Sequence, residues 1–305
     1  MRIGLGLPQL GALAEEDAIR SVAIEAERAG YDSLWAIDRL LSPIAPRSRY
    51  PGTPDGSLPP EQHRVLDPIG VLGLAAAVTD RVRLGTNVLV GPWYPPVILA
   101  RSLTTLDRLS RGRLDVGLGL GWSEDEYEAV GVPQRDLGAR SEELLDVLDA
   151  IWTRDVVEHH GRFVRIAPST IEPKPLQSRP PVLLAAFTPA GLDRVARRAD
   201  GWIPVGIPAD ALAGMWSMVR QLAADHGRDP ASLRLVVRAN VHVTDVSLAS
   251  DRAPFVGSIP QIAGDLDAAS DLGAHEVVVD LHADARRPEE LLELADRITA
   301  HALAA

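Results

Sequence analysis

Short apolar runs alternate with amphipathic helical patterns along almost the whole chain, and this alternation restricts the fold more than any single motif does. The runs are continuously apolar, as a parallel sheet covered on both faces requires. They predict an α/β fold, a TIM (β/α)8 barrel, and 305 residues suit one such domain spanning 1–305. The eight predicted strands are 3–8, 33–38, 82–90, 113–121, 182–187, 201–206, 233–243 and 276–281.

Two insertions interrupt this rhythm, one after the second strand and one after the fourth. Residues 42–62 contain six Pro and two Gly, and too few apolar residues for a regular element. A long loop on the side where barrel enzymes build their active sites is either an active-site loop or a solvated connection. Residues 122–181 predict a short acidic helix start, a strong helix at 140–152 and a hairpin at 156–166.

Composition removes several classes of function. The chain has no cysteine, which excludes disulfides, thiolate metal sites and cysteine nucleophiles. A net charge of −11 disfavours nucleic acid as a partner. No apolar run approaches the ~20 residues that cross a bilayer, and the N-terminus lacks a signal-peptide pattern. We therefore expect a cytoplasmic protein with no membrane partner.

Other enzymatic signatures are weak. Gly117, Gly119 and Gly121 lack the spacing of GxGxxG and lie in a fourth strand and not after a first, so a Rossmann nucleotide site is rejected. Glycines there admit either a neighbouring backbone or a flat ligand, and we favour the ligand. Asp280 and His282 share a face at the end of the eighth strand, but a metal needs three or four convergent ligands. No GxSxG elbow supports a serine hydrolase.

One strand-to-helix turn is a candidate anion site. The segment 185–192 runs from a strand directly into a helix, with Thr188 as the expected N-cap and Pro189 at the first helical position. The exposed N–H groups of such a turn attract phosphate. The segment 257–260, after the seventh strand, is a rival, and the residues alone do not choose between the two.

Five segments in order along the chain form a recognisable set: GYDSLWAIDR (30–39), TDRVRLGTNVLV (79–90), LDRLSRGRLDVGLGLGW (106–122), IEPKP (171–175) and RRADGWIP (197–204). Together they resemble the bacterial luciferase-like superfamily, and within it the closest likeness is to the coenzyme F420-dependent oxidoreductases. The resemblance covers nearly the whole chain. It implies a TIM barrel that holds a flavin or deazaflavin at the C-terminal ends of its strands and catalyses hydride transfer or, with FMN, monooxygenation.

The resemblance also implies cofactor-binding positions. The Asn87–Val88 junction stands where the family commonly has a non-prolyl cis peptide that bulges against the cofactor ring. Relatives hold the cofactor phosphate at the turn matched by 186–188, which favours that turn over 257–260, although they often have glycines where this chain has Phe187. The implied cofactor-binding residues are Asn87, Val88, Gly121, Trp122, Ala186, Phe187 and Thr188.

Asp38 and Arg39 match a position where many relatives carry Asp-His, the histidine being a frequent proton donor or ring contact. An arginine stays protonated, so Arg39 would instead stabilise negative charge on the reduced ring or an oxyanion. Asp38 would orient Arg39 or bond a ring nitrogen; alternatively the pair is a salt bridge that closes the barrel end. Candidate proton donors are Tyr50, Tyr94, Tyr127 and His242.

These inferences give an oxidoreductase that transfers a hydride between coenzyme F420 and a small organic substrate, with Asp38 and Arg39 as catalytic residues and 42–62 as a lid that excludes water. An FMN-dependent luciferase-like monooxygenase and a noncatalytic flavin-binding protein are the alternatives. The family also implies a homodimer.

Overall fold

A computed structural model describes residues 1–300 of the chain. The strands in this range are β1 (Arg2–Gly6), β2 (Ser33–Ala36), β3 (Arg83–Thr86), β4 (Leu89–Val90), β5 (Leu114–Gly119), β6 (Val157–His160), β7 (Arg165–Ser169), β8 (Val182–Leu184), β9 (Gly201–Trp202), β10 (Arg234–Asn240), β11 (His242–Val243), β12 (Val256–Gly257) and β13 (Glu276–Asp280). The α-helices are α1 (Glu16–Ala29), α2 (Pro68–Val78), α3 (Pro96–Leu109), α4 (Glu124–Ala129), α5 (Leu137–Thr153), α6 (Pro189–Arg198), α7 (Ala209–Asp225), α8 (Ile259–Asp271) and α9 (Pro288–Thr299).

Eight parallel strands close into a barrel, which confirms the predicted fold. The order is β3, β2, β1, β13, β10, β9, β8, β5, and the pairing of β3 with β5 completes the circle. Helices follow the barrel strands and pack on the outside, as their three- and four-residue apolar spacing requires. Among residues 1–300, no helix is long and apolar enough to span a membrane.

The predicted insertion after the fourth barrel strand is confirmed, and so are its helix and its hairpin, but the added residues are fewer than 122–181. The helix predicted at 140–152 is α5, which packs against α3 and is the regular barrel helix that follows the fourth barrel strand. The additions to the barrel plan in 122–181 are the short helix α4 and the antiparallel hairpin of β6 and β7. Sequence spacing could not show this, because a barrel helix and an inserted helix have the same apolar pattern.

Two predicted strands are interrupted near the C-terminal ends where the site lies. The predicted strand 82–90 is divided into β3 and β4 at Asn87 and Val88, and 233–243 is divided into β10 and β11 at Val241. Long apolar runs do not reveal such breaks, since the residues remain buried on both sides of them.

The barrel interior is filled by side chains rather than forming a pore. Trp35 lies at its centre and packs with Leu183, Ile203, Val236 and Val278, while the partly buried Val88 and Ala185 pack against this cluster. A Cβ at Gly85 would overlap the Trp35 ring, so the glycine makes room for the indole. This packed interior forms a solid floor beneath the mouth of the barrel.

Ion pairs close the opposite, N-terminal end of the barrel. Buried Asp115 receives Arg83 Nε at 2.6 Å and Arg234 Nη2 at 2.7 Å. Buried Glu276 bonds Ser33 and receives Trp35 Nε1 at 2.9 Å. In barrel enzymes this end serves stability, whereas the C-terminal end carries the chemistry.

Candidate active site at the barrel mouth

The C-terminal ends of the barrel strands bring together the four groups of residues that the sequence singled out. Asp38 and Arg39 follow β2, and Asn87 and Val88 lie between β3 and β4. Gly121 and Trp122 follow β5, and the segment 186–188 joins β8 to α6. Their common location follows from the parallel barrel, in which every strand ends at the same rim.

The peptide bond between Asn87 and Val88 is cis, as the family resemblance implies. Asn87 N donates to the Ala36 carbonyl at 2.7 Å, which joins this bulge to the end of β2. Asn87 itself is buried, and Val88 packs against the barrel interior. The bulge is therefore held by the barrel interior beneath it and by the end of β2 beside it.

Gly117 and Gly119 of β5 make room for this bulge. This corrects the expectation that the glycines of this strand admit a flat ligand. A Cβ at Gly117 would overlap the Thr86 carbonyl oxygen, and a Cβ at Gly119 would lie 2.7 Å from Val88 Cγ2. These two glycines therefore admit the neighbouring backbone and the Val88 side chain. Gly121, with φ +66°, would place a Cβ 2.9 Å from Val90 Cγ1.

Asp38 holds the segment that follows the bulge. Its Oδ2 accepts hydrogen bonds from Val90 N and from the Tyr94 hydroxyl, both at 2.9 Å. Burial raises the pKa of Asp38 to about 6, although both donors act in the opposite direction. A carboxyl group with this pKa can exchange a proton near neutral pH.

Arg39 does not contact Asp38, so neither the orienting role nor the salt bridge considered for this pair is found within residues 1–300. Its partner is Glu126 of α4, with 3.7 Å between Arg39 Nη1 and Glu126 Oε2. The guanidinium lies 4.9 Å from the centre of the Trp122 ring. The Arg39 side chain is only 5% exposed, and its Nε and Nη2 have no hydrogen-bond partner in the described structure.

Glu126 is a site residue that the sequence reasoning missed. It is 2% exposed, and its Oε1 accepts from Leu40 N at 2.8 Å. Burial raises the pKa of Glu126, and the backbone donor and the Arg39 charge oppose that shift. Ser123, three residues earlier, caps α4 by accepting from Glu126 N, and this Ser-x-x-Glu pattern was the available signal.

The loop 42–62 docks on α4 and on Trp122. Arg47 pairs with Asp125, with 3.1 Å between Nε and Oδ1, and Glu124 N donates to Ser48 Oγ at 3.0 Å. The Tyr50 ring meets the Trp122 ring edge-on at 5.4 Å. The loop thus lies beside Arg39 and Trp122, as an active-site loop would.

Gln9, fully buried after β1, ties both ends of this insertion to the barrel. Its Nε2 donates to the Ile37 and Leu66 carbonyls, each at 2.9 Å, and its Oε1 accepts from Ile37 N at 2.6 Å. Nothing in the local sequence marks Gln9, because its partners lie 28 and 57 residues away.

The turn after β8 has the geometry expected of it. Thr188 is the N-cap of α6 and accepts from Gly191 N at 3.2 Å, and Pro189 occupies the first helical turn. Trp202 Nε1 donates a hydrogen bond to the Ala186 carbonyl oxygen at 3.0 Å. The neighbouring Phe187 side chain is 53% exposed.

At the rival turn, 257–260, a side chain of the protein itself accepts the backbone hydrogen bonds that a phosphate would accept. Gln261 Oε1 accepts from Ser258 N at 3.1 Å and from Leu248 N at 2.9 Å. These backbone donors are therefore occupied, which weighs against a phosphate at this turn.

The four candidate proton donors have different surroundings. Tyr94 donates to Asp38, and burial raises its pKa, so it remains protonated. Tyr127 donates to the Leu120 carbonyl, and Tyr50 OH accepts from Gln62 Nε2 at 2.9 Å. His242 is mostly exposed and pairs with Asp284 at 3.0 Å.

Two uncharacterized proteins of Mycobacterium tuberculosis are similar to this chain. One is 38% identical over 200 residues, which cover 63% of this chain and 71% of the relative. The other is 33% identical over 234 residues, covering 76% and 80%. An FMNH(2)-dependent dimethylsulfone monooxygenase of Pseudomonas putida is 32% identical over 155 residues, covering 50% of this chain and 42% of that enzyme.

Solved structures share the fold at low sequence identity. The monooxygenase RslO1 from Streptomyces bottropensis superposes with a TM-score of 0.78 at 21% identity, covering 99% of this chain and all of that one. The coenzyme F420-dependent tetrahydromethanopterin reductase from Methanopyrus kandleri superposes with a TM-score of 0.76 at 16% identity, covering 98% and 99%.

The sequence model of the luciferase-like monooxygenase family matches residues 6–304, almost the entire chain. That match agrees with the closed parallel barrel, the cis peptide at Asn87–Val88 and the candidate residues gathered at one rim. The chain therefore belongs to the luciferase-like monooxygenase family.

Proposed function

We propose that this chain is an oxidoreductase that transfers a hydride between coenzyme F420 and a small organic substrate at the barrel mouth. The observation that carries the proposal is the buried Arg39 guanidinium, whose Nε and Nη2 have no partner in the described structure. Buried donors normally have partners, and a missing partner costs about 1 to 3 kcal/mol. An oxygen-bearing ligand above Trp122 would satisfy them.

The residues of the mouth fit a flat, anionic, phosphate-bearing cofactor. Arg39 supplies unsatisfied donors, and the bulge at Asn87–Val88 supplies a wall. At the start of α6, Gly191 N already bonds Thr188 and Pro189 has no N–H, so the Ala190 N–H is the group that would meet a phosphate. A bound deazaflavin would supply the hydride-carrying carbon, and the roles below belong to the protein.

Arg39 would stabilise negative charge where it develops, because its guanidinium is fixed by Glu126 and the Trp122 ring. Asp38 would hold or release a proton, since its pKa of about 6 lies near the working range of a general acid. Its Oδ2 is engaged by Val90 N and Tyr94, which leaves Oδ1 for that exchange. The loop 42–62 would exclude water from the mouth.

An FMN-dependent monooxygenase is the second candidate, favoured by the similarity to the dimethylsulfone monooxygenase of Pseudomonas putida. The deciding experiment titrates the purified protein with F420 and with FMN by fluorescence, then follows cofactor oxidation in air and without oxygen. The F420 proposal predicts tighter F420 binding and oxygen-independent turnover. A preference for FMN with oxygen consumption would establish the alternative, and binding without turnover over a broad substrate panel would indicate a noncatalytic flavin-binding protein.

We further propose that the chain forms a homodimer through α2. This helix has no charged residue, and Gly70, Leu74 and Ala77 leave apolar surface on the side away from the barrel. Helices that are apolar all round are usually buried on every side. A second copy of the chain, packed on α2, would cover this surface.

A further inference from the structure

Arg238 reaches across the whole mouth of the barrel. It lies on β10, which is the fourth strand from β3 in both directions around the eight-stranded circle. Its Nη1 donates to the Asn87 carbonyl at 3.0 Å, so it contacts the residue that precedes the cis bond from the opposite wall. The bond joins residues 151 positions apart in the chain.

Asp280 fixes the orientation of this guanidinium. Arg238 Nη2 donates to Asp280 Oδ2 at 2.6 Å, and Asp280 ends the neighbouring strand β13. Burial alone would raise the pKa of Asp280, but the charges of His282 and Arg238 lower it well below its ordinary value. The carboxylate is therefore a permanent negative charge between two donors.

His282 in turn fixes Asp280. Its Nδ1 contacts Asp280 Oδ1, and its Nε2 bonds the Leu7 carbonyl at 2.6 Å. The His282 side chain is almost fully buried. A series of hydrogen bonds thus runs from Leu7, the residue after β1, through His282, Asp280 and Arg238 to Asn87.

These contacts leave one donor in this series of hydrogen bonds without a partner. Arg238 Nε is buried and has no hydrogen-bond partner within residues 1–300. Arg234, four residues earlier on the same strand, makes the corresponding pair with Asp115 at the opposite end of the barrel. Both pairs would serve stability, but only Arg238 touches the wall of the proposed cofactor site.

We propose that His282, Asp280 and Arg238 are positioning residues that set the Asn87 carbonyl, and with it the wall of the cofactor site. His282 acts at a distance, through Asp280 and Arg238. The inference rests on the proposed function for its consequence in cofactor binding, but the position of the 84–90 segment can be measured without any cofactor.

Two conservative variants of His282 separate positioning from simple support. Asn presents an amide N–H close to the position of Nδ1 and can keep the bond to Asp280, whereas Gln reaches the position of Nε2 and can keep the bond to Leu7. If His282 acts through Asp280, H282N should bind F420 and FMN within about twofold of wild type, and H282Q and R238M should bind about tenfold more weakly. The reverse order for the two His282 variants would overturn the proposal.

Hydrogen exchange of the cofactor-free protein supplies the second readout. H282Q and R238M should exchange faster than wild type in the segment 84–90, while H282N should not. The control R252M removes an ion pair with Asp265, and the side-chain partners of Arg252 all lie within residues 253–265, so it should lower thermal stability and leave both the exchange of 84–90 and the dissociation constants unchanged.

The two proposals fail in different ways. If wild type binds neither cofactor while the exchange pattern holds, the proposed function is wrong and the positioning chain stands. If wild type binds a cofactor and R238M changes neither its affinity nor the exchange of 84–90, the positioning chain is wrong.

Discussion

The guanidinium of Arg39 lies 4.9 Å from the centre of the Trp122 ring, although the two residues follow different barrel strands. The charge is buried with one carboxylate partner, Glu126, at 3.7 Å. A cation held over an indole in a site of low polarity interacts more strongly than at an exposed surface. This pair defines the polar centre of the candidate site.

Replacing Arg39 by Met should lower turnover with the preferred cofactor about 100-fold, because the fixed charge that stabilises the reaction is lost. Steady-state oxidation of the cofactor measures this directly. Arg111→Met, which removes an exposed ion pair with Asp80, is the matched control and should leave turnover unchanged. Equal rates for R39M and wild type would exclude the electrostatic role.

Asp38→Asn should change the pH dependence of stability. The pKa of the folded Asp38 is raised from 3.8 to about 6, so ionising it costs the folded state free energy. The favourable contribution is full below pH 3.8 and is lost as the pH rises through about 6. Relative to wild type, D38N should gain about 2 to 3 kcal/mol between pH 4 and pH 7. Denaturant unfolding across this range would contradict the prediction if the difference stayed flat.

Glu126→Gln should destabilise the protein by about 3 kcal/mol, because it leaves the Arg39 charge buried without a counter-charge. Arg47→Ala removes partly exposed ion pairs and should change the free energy of unfolding much less than Glu126→Gln does. The double variant R39M/E126Q should be more stable than the sum of the single effects implies. Additive free energies of unfolding would show that the two side chains are not coupled.

Gly119→Ala should destabilise the fold and weaken cofactor binding, since the new Cβ would lie 2.7 Å from Val88 Cγ2. The matched control is Gly214→Ala in α7, where a Cβ meets nothing within 4 Å. A helical Gly-to-Ala change of this kind should stabilise by about 0.5 to 1 kcal/mol. Thermal unfolding and cofactor titration test both variants, and a neutral G119A would mean that the Val88 bulge yields readily.

Ala77→Glu should convert the proposed dimer to a monomer, because it places a charge on the outer, apolar side of α2. Light scattering coupled to size-exclusion chromatography gives the mass. Ala224→Glu, on the outer side of α7, is the control and should leave the mass unchanged. A monomeric wild type would refute the dimer outright.

The sequence predicted where the strands lie because buried parallel strands are continuously apolar. The predicted strand 276–281, for example, differs from β13 by one residue at its end. The cap at Thr188 was equally local, since Thr followed by Pro at the start of a helical pattern is a preferred N-terminal sequence. The cis bond at Asn87–Val88 came from likeness to a family and not from the residues themselves.

The sequence did not predict which residues pair with the charged side chains of the site. The sequence allows Asp38 either to bond Arg39 or to bond a cofactor ring, but Arg39 pairs with Glu126, and Asp38 accepts from Val90 and Tyr94. The sequence leaves a backbone and a flat ligand open at glycines 117 and 119, and the structure places Thr86 and Val88 against them.

By itself, then, the sequence determined which segments are buried and with what periodicity, and hence the barrel and the rim on which candidate residues fall. Only the tertiary structure decided which polar groups meet, as with the Arg238 guanidinium and the Asn87 carbonyl across the mouth. The physical reason is range. Apolar burial and helix capping act within a few residues, whereas a hydrogen bond between opposite walls depends on how every strand between them is placed.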